Sequence, residues 1–314
     1  MTRALAMLDN TSEIKVYNAI DESLVTRWIA FIDVRQQSRK TCGKAMKQFF
    51  KYIHANQIAQ PTRDDVINFR DELLESRKPS TVQLYLTAVK MFFRWLSVEN
   101  IYPNVADHIK GAKIDRGHKK DALSAVQSSN LLKSIDTDNI NGLRDRAIIA
   151  LCLTAGLRTI EIVRANVGDL QVINGKTYLF VQGKGHDEKT DCVLVSPAVE
   201  KAIRDYLNAR GKVNDNQPLF ASLSHRNYGG RLTTQSVSRI AKNNLRAAGL
   251  DSKRITAHSL RHTAATIMLL NGAQLAQVQQ VLRHSSINTT MIYAHAIERM
   301  KNDSEQLVSD AIGI

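Results

Sequence analysis

The sequence predicts a mainly α chain of two domains with one small β-sheet, an α+β arrangement. Three observations carry this reading. At 314 residues the chain is longer than one core usually serves. Its first third shows helical periodicity with no strand signal. Beyond a basic, glycine-containing stretch, two short strand-like runs flank Asn174-Gly175 among further helical patterns.

Residues 1–20 lack periodicity and read as an N-terminal arm. Helical patterns follow over 22–34, 38–56 opened by Ser38, 62–76 opened by Thr62 with Asp65 completing a capping box, and 80–99 opened by Ser80. In the last, Val82, Leu86, Val89, Phe93 and Leu96 make one apolar stripe, as a small helical bundle requires, so 21–111 is a helical domain. GAKIDRGHKKDAL, with few apolar residues, marks a basic linker at 112–122. The second domain, 123–295, opens on a buried helix over 143–154. LQVINGKTYLFVQ then reads as a hairpin, because Asn174 and Gly175 both tolerate positive φ. A third strand is expected at 192–195, then helices at 197–210, 233–247, 258–271 and 274–283, with a tail at 296–314.

Lys and Arg number 43 against 30 Asp and Glu, a net charge of +13, so a polyanionic partner is expected, nucleic acid first. The basic residues expected on DNA are Lys40, Lys44 and Lys47 in the first domain, Arg116, Lys119 and Lys120 in the linker, and Arg231, Arg239 and Lys242 in the second domain. Cys42, Cys152 and Cys192 form no CxxC pair, which argues against a disulfide framework and a zinc knuckle and fits a reducing cytoplasm. MTRALAMLDNTSE lacks a secretory apolar stretch, and AIIALCLTAGL is too short for a bilayer, so no membrane partner is expected.

The chemistry-bearing residues lie in the second domain. Tyr293 is a nucleophile only if cations and hydrogen bonds lower the cost of its anion; otherwise it is a packing residue. His258 and Arg261, at i and i+3 near a helix start, suit an anion, although the same pattern serves a solvated first turn. Arg158 follows a turn at Gly156, with Glu161 three residues on, and the alternative to a phosphate clamp is a structural ion pair. Two arginines can fork onto the non-bridging oxygens of a phosphate, where charge builds in a pentacoordinate transition state. Lys184, flanked by glycines in QGKG, can protonate a departing alkoxide, with Lys189 a competitor. His284, at a helix end, can hydrogen-bond the phosphate or simply favour the helix dipole. His262 and His295 add imidazoles, but no HExxH or carboxylate cluster has metal-ligand spacing, so neither metal nor cofactor is expected.

In order, TAGLRTIEIV, QGKG, HSLRH, LRHSS and TTMIYAH resemble the boxes of the tyrosine recombinase (phage integrase) family, in its simple two-domain form like Xer-type recombinases and mobile-element integrases. The close match runs from Leu143 to His295; residues 22–110 resemble the family's core-binding domain more loosely. The resemblance implies a SAM-like helical domain and a catalytic domain forming a C-shaped DNA clamp. It also implies that Arg158 and Arg261 hold the scissile phosphate, Lys184 protonates the 5′ hydroxyl, His258 assists proton transfer, His284 contacts the phosphate and Tyr293 attacks, with Glu161 and His262 supporting. A 3′-phosphotyrosine would store the bond energy, and four protomers would exchange strands between two duplexes through a Holliday junction at paired inverted repeats. Room remains for an accessory protein or partner recombinase. The tail, with Ile297, Met300, Leu307, Val308 and Ile312, either docks on a neighbour or folds back. Two departures stand out: Arg283 where the family usually has glycine, and HDEKTDCVLV after Lys184. The alternatives are a type IB topoisomerase and a non-catalytic DNA-binding regulator of the same fold.

Overall fold

A computed structural model of the chain describes residues 6–8, 14–16, 20–114, 121–183, 188–300, 302 and 304–313. It divides into two compact units, Met1–Arg116 and Gly117–Ile314. Unit 1 carries helices α1 (Glu22–Phe31), α2 (Gln36–Ala55), α3 (Arg63–Ser76) and α4 (Pro79–Val98). Its core is aromatic: Trp28, Phe49, Phe50, Phe69, Phe92 and Phe93 are all buried. They meet edge to face, Phe49 on Phe69 at 5.1 Å and Trp28 on Phe92 at 5.5 Å, the arrangement ring quadrupoles favour. The Thr62–Asp65 capping box forms as the sequence predicts. Two helix starts differ from expectation. α2 opens two residues before Ser38 with no side-chain cap, and α4 opens on Pro79 instead of Ser80. Pro79 has no amide hydrogen to orphan in the first turn, so it serves as the first helical residue. The arm, read as lacking pattern, holds two short antiparallel strands, β1 (Ala6–Leu8) and β2 (Ile14–Val16), with Ala6 opposite Val16.

Unit 2 is built around α6 (Ile140–Thr154), whose residues from Ala147 to Leu153 are all buried. It begins before the expected Leu143, because Asn139 Oδ1 accepts from the Gly142 amide and caps it. The helices α5 (Ala125–Lys133) and α7 (Thr159–Arg164) precede and follow it; α7 is too short for periodicity to announce, and α5, opened by a Ser124–Gln127 capping box, is not among the expected helices. The sheet has the order β3-β4-β5, from Leu170–Ile173, Lys176–Val181 and Asp191–Val195. Asn174 and Gly175 turn the hairpin at φ 51° and 74°, which sets Ile173 opposite Lys176. β5 pairs antiparallel with β4, placing Thr177 opposite Val195. Leu179, Val181, Val193 and Val195 face inward onto the core shared with α6 and α8 (Pro197–Arg210).

The remaining helices are α9 (Thr234–Ala247), α10 (Ala257–Leu270), α11 (Leu275–Leu282), α12 (Ile287–Met300) and α13 (Ser304–Ile312). No helix among the described residues is long and apolar enough to cross a membrane. Because Phe92 is fully buried among aromatic neighbours, Phe92→Ala is expected to cost roughly 3–5 kcal/mol. Urea denaturation checks this: the midpoint of the unit 1 transition should fall while its slope stays unchanged.

Candidate active site

Four segments of unit 2 converge on one buried carboxylate. α6 is apolar, so the chain leaving it must reverse sharply to bring polar residues back to its end. Gly156 makes the reversal at φ 58°, and a Cβ there would meet Leu282 Cδ2 at 2.4 Å. Glycine is therefore favoured by conformation, and a Cβ would also have to displace the end of the buried Leu282 side chain. The turn delivers Arg158 to the position before α7. Glu161, three residues on and fully buried, reaches back so that Oε2 accepts from the Arg158 amide at 2.7 Å and Oε1 from Arg158 Nη1 at 2.8 Å. Burial raises the Glu161 carboxyl, but the charge and hydrogen bond of Arg283 and those of Arg158 outweigh it and hold it below the usual carboxylate value.

Arg261 lies on α10 and is 2% exposed. Its two Nη atoms donate to the carbonyls of Gly156 and Leu282. A guanidinium has five N–H groups, so donors remain for a phosphate. Burial and then the charge of Arg158 pull its pKa to about 9, with Glu161 opposing, which leaves it cationic at neutral pH. Arg158 Nη2 donates to the carbonyl of Arg283 at 3.0 Å. Both guanidiniums are thus fixed before any ligand arrives, which is what electrostatic stabilisation of a transition state needs.

The imidazoles gather around the phenol. His258, exposed at the start of α10, lies edge-on to His262 with ring centroids 4.5 Å apart. His262 meets Tyr293 at 5.0 Å, and His284 lies nearly parallel to Tyr293 at 6.4 Å. His284 Nδ1 is 2.8 Å from Thr290 Oγ1, and the His284 amide donates to the Gln279 carbonyl. Burial first, then the charges of Arg261, Arg158, His258 and Arg283, pull the His284 pKa to about 4. At neutral pH it is a neutral hydrogen-bonding imidazole and not a cation. Tyr293 on α12 is 4% exposed and packs with Ala265, Val278 and Leu282. Burial raises its phenol more than Arg261 and Arg158 lower it, so it stays protonated in this DNA-free chain. A cavity of about 540 Å³ opens beside these groups, lined by Arg158, Gly183, Gln279, Arg283, His284 and Ser285 among others.

The structure therefore brings together Arg158, Glu161, His258, Arg261, His262, His284 and Tyr293. Lys184 lies outside the described residues, as do Arg116, Lys119 and Lys120; Gly183, just before Lys184, borders the cavity. Lys189 is held by Asp169 at 2.5 Å. Lys40, Lys44 and Lys47 stand exposed on α2 at helical spacing, and Lys51, which the sequence reading missed, continues their stripe. Arg239 is exposed on α9. Arg231 donates to the carbonyls of Val163 and Ala165 and to Asn166 Oδ1, and Lys242 pairs with Asp251 and donates to the Ser252 carbonyl. Thr290 and the inward-turned side chain of Arg283 were also missed. Among the described residues no group of three or more His, Cys, Asp or Glu is placed to hold a metal ion.

Residues 122–299 match the phage integrase family model, and residues 25–100 match that of the phage integrase N-terminal SAM-like domain. The chain belongs to the phage integrase family of tyrosine recombinases. Among its relatives, the tyrosine recombinase XerC of Herpetosiphon aurantiacus is 34% identical over 80% of this chain and 81% of that protein. The tyrosine recombinase XerD of Listeria innocua is 31% identical over 78% and 82%. Among solved structures, the XerH site-specific recombinase bound to palindromic difH substrate superposes with a TM-score of 0.69 at 22% identity, covering 88% of this chain and 79% of that one; it shares the fold. The relatives of this family member are recombinases, so the topoisomerase and non-catalytic regulator readings are not favoured.

One pH dependence follows from the His284 environment. Its folded pKa lies below the unfolded value of about 6.5, so its contribution to stability is complete above that pH and is lost as pH falls toward 4. For the DNA-free protein, His284→Gln should lose less unfolding free energy than the parent chain between pH 7 and pH 4. Denaturant titrations of both at a series of pH values make the comparison, and parallel curves would remove the assignment.

Proposed function

We propose that the protein is a site-specific DNA recombinase that breaks and rejoins strands through a covalent tyrosyl intermediate. The observation that carries this is the convergence of Arg158, Arg261, His284 and Tyr293, distant in sequence, about Glu161. Arg158 and Arg261 take the non-bridging oxygens of the scissile phosphate, where charge develops as phosphorus becomes five-coordinate. Neutral His284, braced by Thr290, adds a hydrogen bond to the same phosphate. The Tyr293 oxygen forms a bond to phosphorus, and its proton leaves toward the row of His262 and His258. The bond to the 5′ oxygen breaks, and Lys184 supplies the proton that makes the 5′ hydroxyl. Support for Lys184 over Lys189 comes from the pairing of Lys189 with Asp169 and from Gly183 at the cavity edge. The energy of the broken diester is kept in the 3′-phosphotyrosine, so ATP is not needed. Attack by the partner strand's 5′ hydroxyl reverses the steps.

The substrate in this reading is duplex DNA with paired inverted repeats, exchanged by four protomers through a Holliday junction, in the cytoplasm on the nucleoid. A lambda integrase tetramer bound to a Holliday junction has the same fold, with a TM-score of 0.62 at 15% identity. The docking element is α13, whose Leu307, Val308 and Ile312 are exposed, whereas Ile297 is buried in its own unit. The basic stripe of α2 and Arg239 of α9 supply phosphate contacts.

Three outcomes test this. On nicked duplexes selected by binding from a randomised pool, Tyr293→Phe should abolish the covalent adduct with affinity nearly unchanged. Arg158→Ala or Arg261→Ala should slow adduct formation by about a hundred- to a thousand-fold; a loss confined to binding overturns their role. Deletion of residues 304–314 should leave single-site binding intact and remove the four-protomer complex seen by native electrophoresis.

A further inference from the structure

We infer that Arg283 is a positioning residue for strand cleavage, whose side chain and carbonyl together lock Arg158 in the plane that meets the scissile phosphate. The inference rests on Arg158 being the phosphate clamp proposed above. α11 ends at Leu282, and Arg283 follows in the left-handed conformation, φ 54° and ψ 49°, with its amide donating to the Gln280 carbonyl. That is the helix-ending position where glycine costs least and a side chain is disfavoured. A long cationic residue there needs a compensating interaction, and the structure contains one.

The Arg283 side chain turns inward and is 8% exposed. Its Nη2 donates to Glu161 Oε2 at 2.8 Å, its Nε to Glu161 Oε1 at 3.4 Å, and its Nη1 to the Val281 carbonyl at 2.5 Å. Its own carbonyl accepts from Arg158 Nη2, while Arg158 Nη1 donates to Glu161 Oε1. A closed ring results, running from the Arg283 guanidinium through Glu161 and Arg158 back to the Arg283 carbonyl. Two bonds to different acceptors from the two Nη atoms leave the planar Arg158 guanidinium one orientation. Glycine at 283 could supply the carbonyl but not the second guanidinium on Glu161. Arg283 places three of its five N–H groups on Glu161 and Val281 and acts through Arg158, which makes the proposed contact to the phosphate. It also fixes the entry to His284, the next residue.

The ring has an electrostatic consequence. The ionisable groups facing Glu161 are Arg158 before α7, Arg283 after α11, Arg261 of α10 and Cys152 of α6. Burial pushes the carboxyl up, and the charge of Arg283 is the largest influence holding it down. Without Arg283 the carboxyl takes up a proton at higher pH, and Arg158 then loses its anionic partner.

The test is single-turnover adduct formation by the full chain on the selected nicked duplex, from pH 5 to pH 9, for the parent, Arg283→Gly, Arg283→Lys and Arg158→Ala. Arg283→Gly suits the left-handed backbone and should stay folded. It is expected to bind DNA within about two-fold of the parent and to cleave up to about a hundred-fold more slowly at neutral pH. The acid limb of its rate profile should move to higher pH, and Arg283→Lys should restore part of both rate and limb. Parental rate and pH profile in Arg283→Gly, with Arg158→Ala inactive, overturns the inference alone. An equal loss at every pH that tracks lowered thermal stability, with no recovery in Arg283→Lys, also overturns it by assigning Arg283 a structural role. Parental cleavage by Arg158→Ala removes the clamp assignment itself, and this inference with it.

Discussion

The buried carboxylate of Glu161 is the interaction on which the catalytic unit depends. Arg261 and Arg283 enter a region where water screens them little, and Arg158, 25% exposed, stands at its edge. Like charges so placed repel, and each carries a desolvation penalty. One fully buried anion, hydrogen-bonded to two guanidiniums and a backbone amide, makes that concentration tolerable. The backbone is arranged around it. Gly156 turns tightly enough to hand its carbonyl to Arg261, and the end of α11 offers the carbonyls of Leu282 and Arg283 to Arg261 and Arg158. Each arginine therefore borrows acceptors from a segment remote in sequence, and the fold is what brings them into register.

Three guanidiniums around the Glu161 carboxylate leave its surroundings electropositive, and burial together with that excess sets the states of the remaining groups. Burial and the neighbouring cations both hold His284 neutral, whereas Tyr293 keeps its proton because burial among Ala265, Val278 and Leu282 outweighs the pull of Arg261 and Arg158. A bound phosphate diester supplies the negative charge the pocket lacks. In the proposed reaction, the event that satisfies Arg158 and Arg261 also places phosphorus where the phenol oxygen is required, which couples substrate capture to assembly of the reactive geometry through charge.

Much of this was legible in the sequence, and the exceptions have physical reasons. The Thr62–Asp65 box and the Asn174-Gly175 hairpin depend only on neighbours, and both form as read. The boxes around Arg158, His258 and Tyr293 pointed to these residues because order along the chain is a strong constraint when five motifs must coincide, and the structure brings them together. α7 escaped because six residues span too few turns to display a period, whereas α5 was missed despite its Ser124–Gln127 capping box. α2 could not be placed by its first residue, since no side chain caps it. Arg283 was visible only as a departure from glycine; its partner Glu161 is remote in sequence, and no local rule pairs them. Thr290 was silent because no local rule pairs it with His284 six residues before it, while Lys51, also missed, extends the spacing already evident at Lys40, Lys44 and Lys47.

Thr263 on α10 accepts the Leu123 amide at 2.8 Å and passes its own hydrogen to the Ser259 carbonyl. Leu123 of the catalytic unit is thereby fastened to the helix that bears Arg261, two residues from it. Tension arriving along the polypeptide at that entry is transmitted into the rigid element carrying the guanidinium, with no slack loop between to absorb it.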